Sequence, residues 1–308
     1  MIKLTDSAAI YGLRSKPSVS IFILYPEGRV SPIQLAQMAT VPDENVHCVA
    51  VQNADFDACQ SIVKSLFSDK EFNDSHRLGA INSINWARIL AQIVYYFHAW
   101  LSLPTDKRGE AGDEVQFTVP TGNFGDILAG YFAKRLGLPM RELVVATNEN
   151  DILERFWKTG RYEKEDSSAP KQEQAPETAV VEGSSDGSQA QHVSAVKATH
   201  SPAMDILVSS NFERLLYYLA LETVDNRTEA QAKLAGWMEA LKTEGKVDMG
   251  AAVQQAAKRD FKAERVSDEQ TLKQIQKSYE AADEFGSYVV DPHTAVGLAA
   301  AARVKEQS

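Results

Sequence analysis

Apolar and polar positions switch repeatedly between two periods along the chain. Residues 19–25 (VSIFILY) and 46–51 (VHCVAV) are short apolar, β-rich runs, each followed by helical spacing. After the first run, Ser31-Pro32 supplies an N-cap and first-turn pair for a helix reaching Met38. After the second, residues 56–67 place apolar side chains at 59, 62, 63 and 66. Residues 84–101 give a long helix pattern, apolar at 86, 90, 93, 94, 97 and 101 and nearly so all round, which predicts burial. A third strand is predicted at 114–120 (EVQFTVP), a helix near 127–136, a fourth strand at 143–146 (LVVA) and a further helix from about 150. Buried-type strands alternating with helices predict an α/β fold with mostly parallel sheets.

Residues 163–199 break the pattern. They are rich in Glu, Ser, Ala, Gln and Gly, and no aromatic residue stands between Tyr162 and Phe212. Such a segment buries too little apolar area to offset its ordering entropy, so it reads as a disordered surface insertion within a domain. Residues 213–282 look mainly helical and charged, and 287–290 reads as a short strand leading to Asp291-Pro292-His293-Thr294. The expected division is a smaller αβ domain over 1–112, including the helix that leads out of it, and a larger αβ domain over 113–308 that carries the insertion.

Composition narrows the function. The chain has 308 residues, 44% hydrophobic and 24% charged, with a formal net charge of −10. That balance argues against a nucleic-acid surface, which needs clustered Lys and Arg. Cys48 and Cys59 form neither a disulfide framework nor a metal spacing, and the six histidines are scattered, so no metal site is predicted. No apolar run approaches the ~20 residues of a membrane span. The N-terminal residues lack a signal or transit pattern, and the expected setting is cytoplasmic.

The candidate chemistry centres on TGNFGD, residues 121–126, between the third strand and its helix. A glycine-containing turn into a helix N-terminus aims backbone N–H groups and the positive end of the helix dipole outward, which suits phosphate. The glycines at 122, 125 and 130 fit neither the nucleotide P-loop nor the dinucleotide fingerprint. From the residues alone, a phosphate cradle and a plain strand-to-helix turn both stand. Arg88, on the long helix, is either an oxyanion clamp or half of a structural ion pair; Asn85 shares its face. Thr294 reads first as an N-cap. Ser209-Ser210 has no nearby His/Asp pattern, so a serine-hydrolase triad has little support.

Six stretches together resemble threonine synthase of the eukaryotic, fungal-like long form: SAAIYGL (7–13), NSINWARIL (82–90), VPTGNFGDILAGYFAK (119–134), ATNENDIL (146–153), SPAMDILVSSNFERLL (201–216) and DPHTAVG (291–297). They occur in the family's order over nearly the whole chain. The resemblance implies two open αβα domains of the fold-type II, tryptophan-synthase-β class of pyridoxal-phosphate enzymes. It also implies a carbon–oxygen lyase reaction that takes O-phospho-L-homoserine and water to L-threonine and phosphate. In that reading Gly122, Asn123, Phe124, Gly125 and Asp126 hold the cofactor phosphate, Thr294 lies near the pyridine nitrogen, and Ser83, Asn85 and Arg88 bind the substrate's phosphate or carboxylate. The cofactor would serve as the electron sink.

The same resemblance implies a gap. The family's Schiff-base lysine lies in a Phe-Lys-Asp motif upstream of S-A-A-I-Y-G-L, and these residues contain no such motif. The one Phe-Lys pair, Phe261-Lys262, is followed by Ala263 and is not a substitute. The chain thus reads as the central part of a threonine synthase, truncated at both ends and without the N-terminal domain. As an isolated polypeptide it is expected to be nearly inactive, and to expose apolar surface. The competing readings are another lyase of the same fold, such as a serine or threonine dehydratase, and a non-catalytic remnant that binds a phosphorylated metabolite.

Overall fold

The computed structural model describes residues 10–28, 30, 32–54, 56–81, 85–108, 115–164, 196–224, 226–281 and 286–306. Ser83, Ser31, Glu114 and most of the 163–199 insertion lie outside the described residues; of the strand predicted at 114–120, residues 115–117 are described and are not strand, which begins at Thr118. The chain forms two compact units, Met1–Ala91 and Gln92–Ser308.

In the first unit, β1 (Ile21–Pro26) and β2 (Val46–Val51) pair in parallel, Ile23 opposite Cys48. The helix between them, α1 (Pro32–Ala39), buries Met38 against Ile23 and Ile10, with Tyr25 and Val46 packed around. The Asn45 side chain fixes the approach to β1. Its amide donates to the carbonyls of Leu13 and Val19, 3.1 and 2.9 Å away, and its oxygen accepts from the Ser15 N–H. α2 (Phe56–Ser68) and α3 (Lys70–His76) follow, the second capped by Asp69, which accepts from the Phe72 N–H at 3.0 Å. The other face of the β1–β2 pair carries Phe22, 65% exposed and stacked on His47. Cys48 and Cys59 are free thiols.

α4 (Trp86–Ser102) begins in the first unit and continues into the second. Its apolar pattern predicts burial all round, yet burial falls on Ile89 and Tyr96, two turns apart, while Trp86, Leu90, Val94 and Leu101 are exposed. Periodicity shows which faces are apolar; only packing decides which of them is covered.

The second unit continues with β3 (Thr118–Pro120), α5 (Gly125–Arg135), β4 (Leu143–Thr147), α6 (Ile152–Thr159), β5 (Arg161–Glu163), α7 (Phe212–Val224), α8 (Arg227–Thr243), β6 (Lys246–Asp248), α9 (Gly250–Asp260), β7 (Phe261–Arg265), α10 (Asp268–Glu280) and α11 (Pro292–Glu306). Its main sheet has the order β3-β4-β7, all parallel, as the pattern predicts. β4 is central and every one of its five residues is buried, which accounts for its unbroken apolar sequence. Aromatic rings fill one side of the core: Phe124, Phe156, Trp157, Tyr162, Phe212 and Phe261 contact one another with centroids 4.9–6.1 Å apart.

Two sequence expectations need correction. Residues 213–282 are mainly helical, as expected, but 261–265, taken with that charged helical region, is a strand, and 246–248 is another. Phe-Lys-Ala-Glu-Arg (261–265) reads as charged helix, but parallel pairing with β4 sets Phe261 opposite Leu143 and buries its ring. Non-local pairing here overrides local propensity. Conversely, 287–290 forms no strand: Val290 is buried, Tyr288 and Val289 are exposed, and the Tyr288 N–H donates to the Ser278 carbonyl instead of to a strand. Among the described residues no helix is long and apolar enough to cross a membrane.

Candidate anion site at the sheet edge

In the parallel sheet, Pro120, Thr147 and Arg265 all stand at carboxyl ends of strands, the edge where open α/β sheets take their ligands. TGNFGD occupies this edge. Thr121 carries β3 one residue further: its N–H donates to the Ala146 carbonyl at 2.7 Å, and its hydroxyl to the Val119 carbonyl at 2.6 Å. The chain then turns at Phe124, which takes the left-handed conformation with φ +62° and ψ +9°. Such a φ is unusual outside glycine, and the packing of the ring, 1% exposed, holds it there against Phe212 and Trp157.

The turn has a chemical result. Phe124 is the N-cap residue of α5, and a phenyl ring cannot accept hydrogen bonds from the first-turn N–H groups as Ser or Asp would; no side-chain cap is made. A left-handed residue followed by helical ones also forms a concave nest of N–H groups. An uncapped helix start and a nest coincide at residues 124–126. The Asn123 amide nitrogen is buried with no hydrogen-bond partner, and the buried hydroxyls of Thr147 and Ser209 are in the same condition.

Two other elements brace the loop. Asn211, ahead of α7, donates to the Asn123 carbonyl from its main-chain N–H at 3.1 Å and from its side-chain amide at 2.9 Å. Tyr96 of α4 donates its hydroxyl to the Asp126 carbonyl at 3.0 Å. Burial raises the Asp126 carboxyl to about 6, partly offset by the Tyr96 hydroxyl. That hydroxyl has a single proton and gives it to the main-chain carbonyl, so burial governs the shift. Burial and the Asp126 charge together hold the Tyr96 phenol well above its ordinary value.

Thr294 lies in the first turn of α11. That helix reaches the same sheet edge, because Gly297, one turn on, packs so closely on Pro120 that an added Cβ would lie 3.0 Å from its ring. The Thr294 hydroxyl donates to Asp291, which also accepts from the main-chain N–H groups of Thr294 and His293 at 3.3 and 2.9 Å. Asp291, not Thr294, caps this helix. Burial alone would raise the Asp291 carboxyl, but these donors outweigh it and lower it. His293 Nε2 accepts from the Ala203 N–H at 3.2 Å, which makes Nδ1 the protonated nitrogen facing Asp291.

The structure thus brings Gly122, Asn123, Phe124, Gly125, Asp126 and the first turn of α11 to one sheet edge. Asn85 and Arg88 belong to the first unit, at the start of α4. Asn85 is the N-cap there: its oxygen accepts from the Ala87 N–H at 2.9 Å, and its amide donates to the Ala80 carbonyl at 2.6 Å. Arg88 is half-buried in the first turn. Lys262 is on β7, its ammonium 3.9 Å from a Glu142 carboxylate oxygen. Sequence reasoning missed Tyr96 and Asn211; an aromatic inside an apolar run and an Asn before a helix look like a core residue and a cap.

The edge also explains two of the recognised stretches. Asn148, 1% exposed, follows β4 and donates to Asp205 at 2.7 Å and Thr199 at 2.8 Å. Thr199 and Asn150 donate to the same Asp205 oxygen at 2.7 and 3.0 Å. ATNENDIL and SPAMDIL therefore share one partly buried hydrogen-bond network, joined also by Thr199.

No family model matches the chain. It is 55% identical over 307 residues to the threonine synthase of Schizosaccharomyces pombe, an alignment covering 99% of this chain and 55% of that protein. The crystal structure of threonine synthase from yeast superposes with a TM-score of 0.78 at 50% identity, over 98% of this chain and 53% of that one. The structure of pyridoxal-phosphate-bound threonine synthase from Brucella melitensis gives a TM-score of 0.73 at 40% identity, over 97% of this chain and 55% of that one. The chain spans about half the length of the relatives it matches.

Proposed function

The chain belongs to the threonine synthase family, and we propose that it holds the cofactor-phosphate half of a site converting O-phospho-L-homoserine and water into L-threonine and phosphate. One observation carries this reading: the left-handed turn at Phe124 leaves the first N–H groups of α5 uncapped at the carboxyl edge of a parallel sheet. The identity to threonine synthases and the α/β fold shared with them support the proposed reaction.

The residues present fit pyridoxal phosphate. Gly122, Asn123, Phe124, Gly125 and Asp126 would take its phosphate, on main-chain N–H groups and on the unpartnered Asn123 amide. Thr294 would serve the pyridine nitrogen, with a hydroxyl that turns away from Asp291 to donate. When bound, the cofactor supplies an electron sink for proton removal at Cα and Cβ and loss of phosphate from Cγ. Arg88 would bind a substrate anion by its guanidinium, helped by the positive end of α4. Ser83 and Asn85 belong to the same proposed substrate end, and Asn85, with both side-chain ends engaged, would act by fixing where α4 begins. Cytoplasmic placement belongs to the same reading.

Saturable binding of pyridoxal phosphate to the chain, displaced by inorganic phosphate and weakened by Gly125→Val, is the expected result. Phosphate release from O-phosphohomoserine is assayed in a polypeptide in which Phe-Lys-Asp precedes this stretch. A folded chain that binds neither pyridoxal phosphate nor inorganic phosphate overturns the proposal.

A further inference from the structure

We propose that Asn211 is the positioning residue that aims the anion-binding N–H groups of residues 124–126. The inference rests on the cofactor-phosphate reading of that loop and adds a residue outside it.

The argument starts from peptide geometry. The Asn123 carbonyl and the Phe124 N–H belong to one planar trans peptide, so they point in opposite directions. Asn211 holds that carbonyl with two donors, its own N–H at 3.1 Å and its side-chain amide at 2.9 Å. Pinning the carbonyl toward the start of α7 turns the Phe124 N–H away from it. Phe124 is left-handed and the residues after it are helical, so the N–H groups of Gly125 and Asp126 follow on the concave side.

Asn211 is itself fixed. It is 0% exposed, and its side-chain oxygen accepts from Arg214 Nη1 at 2.5 Å. A guanidinium only donates, so it sets the amide orientation: oxygen toward Arg214, nitrogen toward the loop. The segment is tied into the core through the Ser209 N–H, which donates to the Tyr162 hydroxyl at 2.9 Å, and through the Tyr162–Phe212 ring contact at 4.9 Å. A carboxylate at 211 would keep the shape and the Arg214 contact. It would lose the side-chain donor and place a negative oxygen against the Asn123 carbonyl, leaving only the main-chain N–H at 3.1 Å to hold it. The repulsion would turn the peptide and carry the Phe124 N–H away from the nest.

The experiment compares parent and N211D by inorganic-phosphate and pyridoxal-phosphate titration, followed through the backbone amide resonances of Phe124, Gly125 and Asp126. In the parent these three resonances should move on titration. N211D should bind both ligands about tenfold more weakly, with those shifts reduced while resonances of the aromatic core stay in place. A folded N211D with parental affinity and parental shifts overturns the proposal, since a merely structural Asn211 would lower stability and leave the affinity of the folded protein alone. If N211D does not fold, Asn211→Ala is read instead, since it removes the side-chain donor and adds no charge; unchanged phosphate affinity there also overturns it. A parent that binds neither ligand overturns the cofactor-phosphate reading itself, a result distinct from parental binding retained by the variants.

Discussion

The Tyr96 hydroxyl donates to the main-chain carbonyl of Asp126 across 3.0 Å, tying the middle of α4 to the first turn of α5. The contact depends on a missing side chain one turn further on. A Cβ on Gly130 would lie 2.7 Å from the Tyr96 ring. Phe117 meets the same ring edge-on at 4.9 Å.

Gly130→Ala should therefore destabilise the protein by about 1–3 kcal/mol, although alanine is the better helix former. Tyr96→Leu removes the atoms that clash, so in that background the same change should cost less. Urea titrations of the four proteins in a double-mutant cycle measure the coupling; additive costs would show that Tyr96 does not set the requirement for glycine.

Asp126 gives a pH signature. Its folded carboxyl titrates at about 6 and its ordinary value is 3.8, so between these the folded protein keeps a proton that the unfolded chain has released. Stability should fall as pH rises through that window and level off above it. Asp126→Asn should match the parent below pH ~4 and exceed it at pH ~8 by up to about 3 kcal/mol. Denaturant midpoints at both pH values test this, and a pH-independent difference would contradict it.

Phe124 is held in a conformation that costs an ordinary side chain about 1 kcal/mol. Truncation to alanine keeps that cost and removes the ring contacts with Trp157, Phe212 and Phe261. A loss of roughly 3–5 kcal/mol is expected in thermal or chemical unfolding.

Asp291→Ala removes the cap of α11 and the acceptor for Thr294 and His293. A loss of about 1–2 kcal/mol at neutral pH is expected. The folded carboxyl lies below its ordinary value, so its contribution is complete above pH ~4 and fades as pH falls through the folded value. Parent and variant should therefore converge in acid, which unfolding curves at pH ~3 and ~7 would show.

Much of the fold was legible where local pattern and tertiary role agree. β2 spans residues 46–51 as predicted, and β4 matches its predicted run to within one residue, because a strand buried on both faces, as β4 is, must be apolar throughout. β7 was not legible. Its lysine, glutamate and arginine look like a helix surface, and only pairing with β4 makes the segment a strand. The 287–290 run fails in the opposite sense, being β-rich but without a strand to join.

At the site, the sequence by itself determined the loop: two glycines and an acidic residue between a strand and a helix, which with its neighbouring stretches resembles the threonine synthase loop proposed above to take a phosphate. The tertiary structure decided how that loop is shaped and held. Phe124 is left-handed because the aromatic core grips its ring, the Asn123 peptide is oriented by an asparagine 88 residues away, and the first turn of α5 is braced by a tyrosine 30 residues before it. These are non-local contacts. No window of sequence contains both partners, so a periodic pattern can place each element but cannot say which side chain will reach which carbonyl.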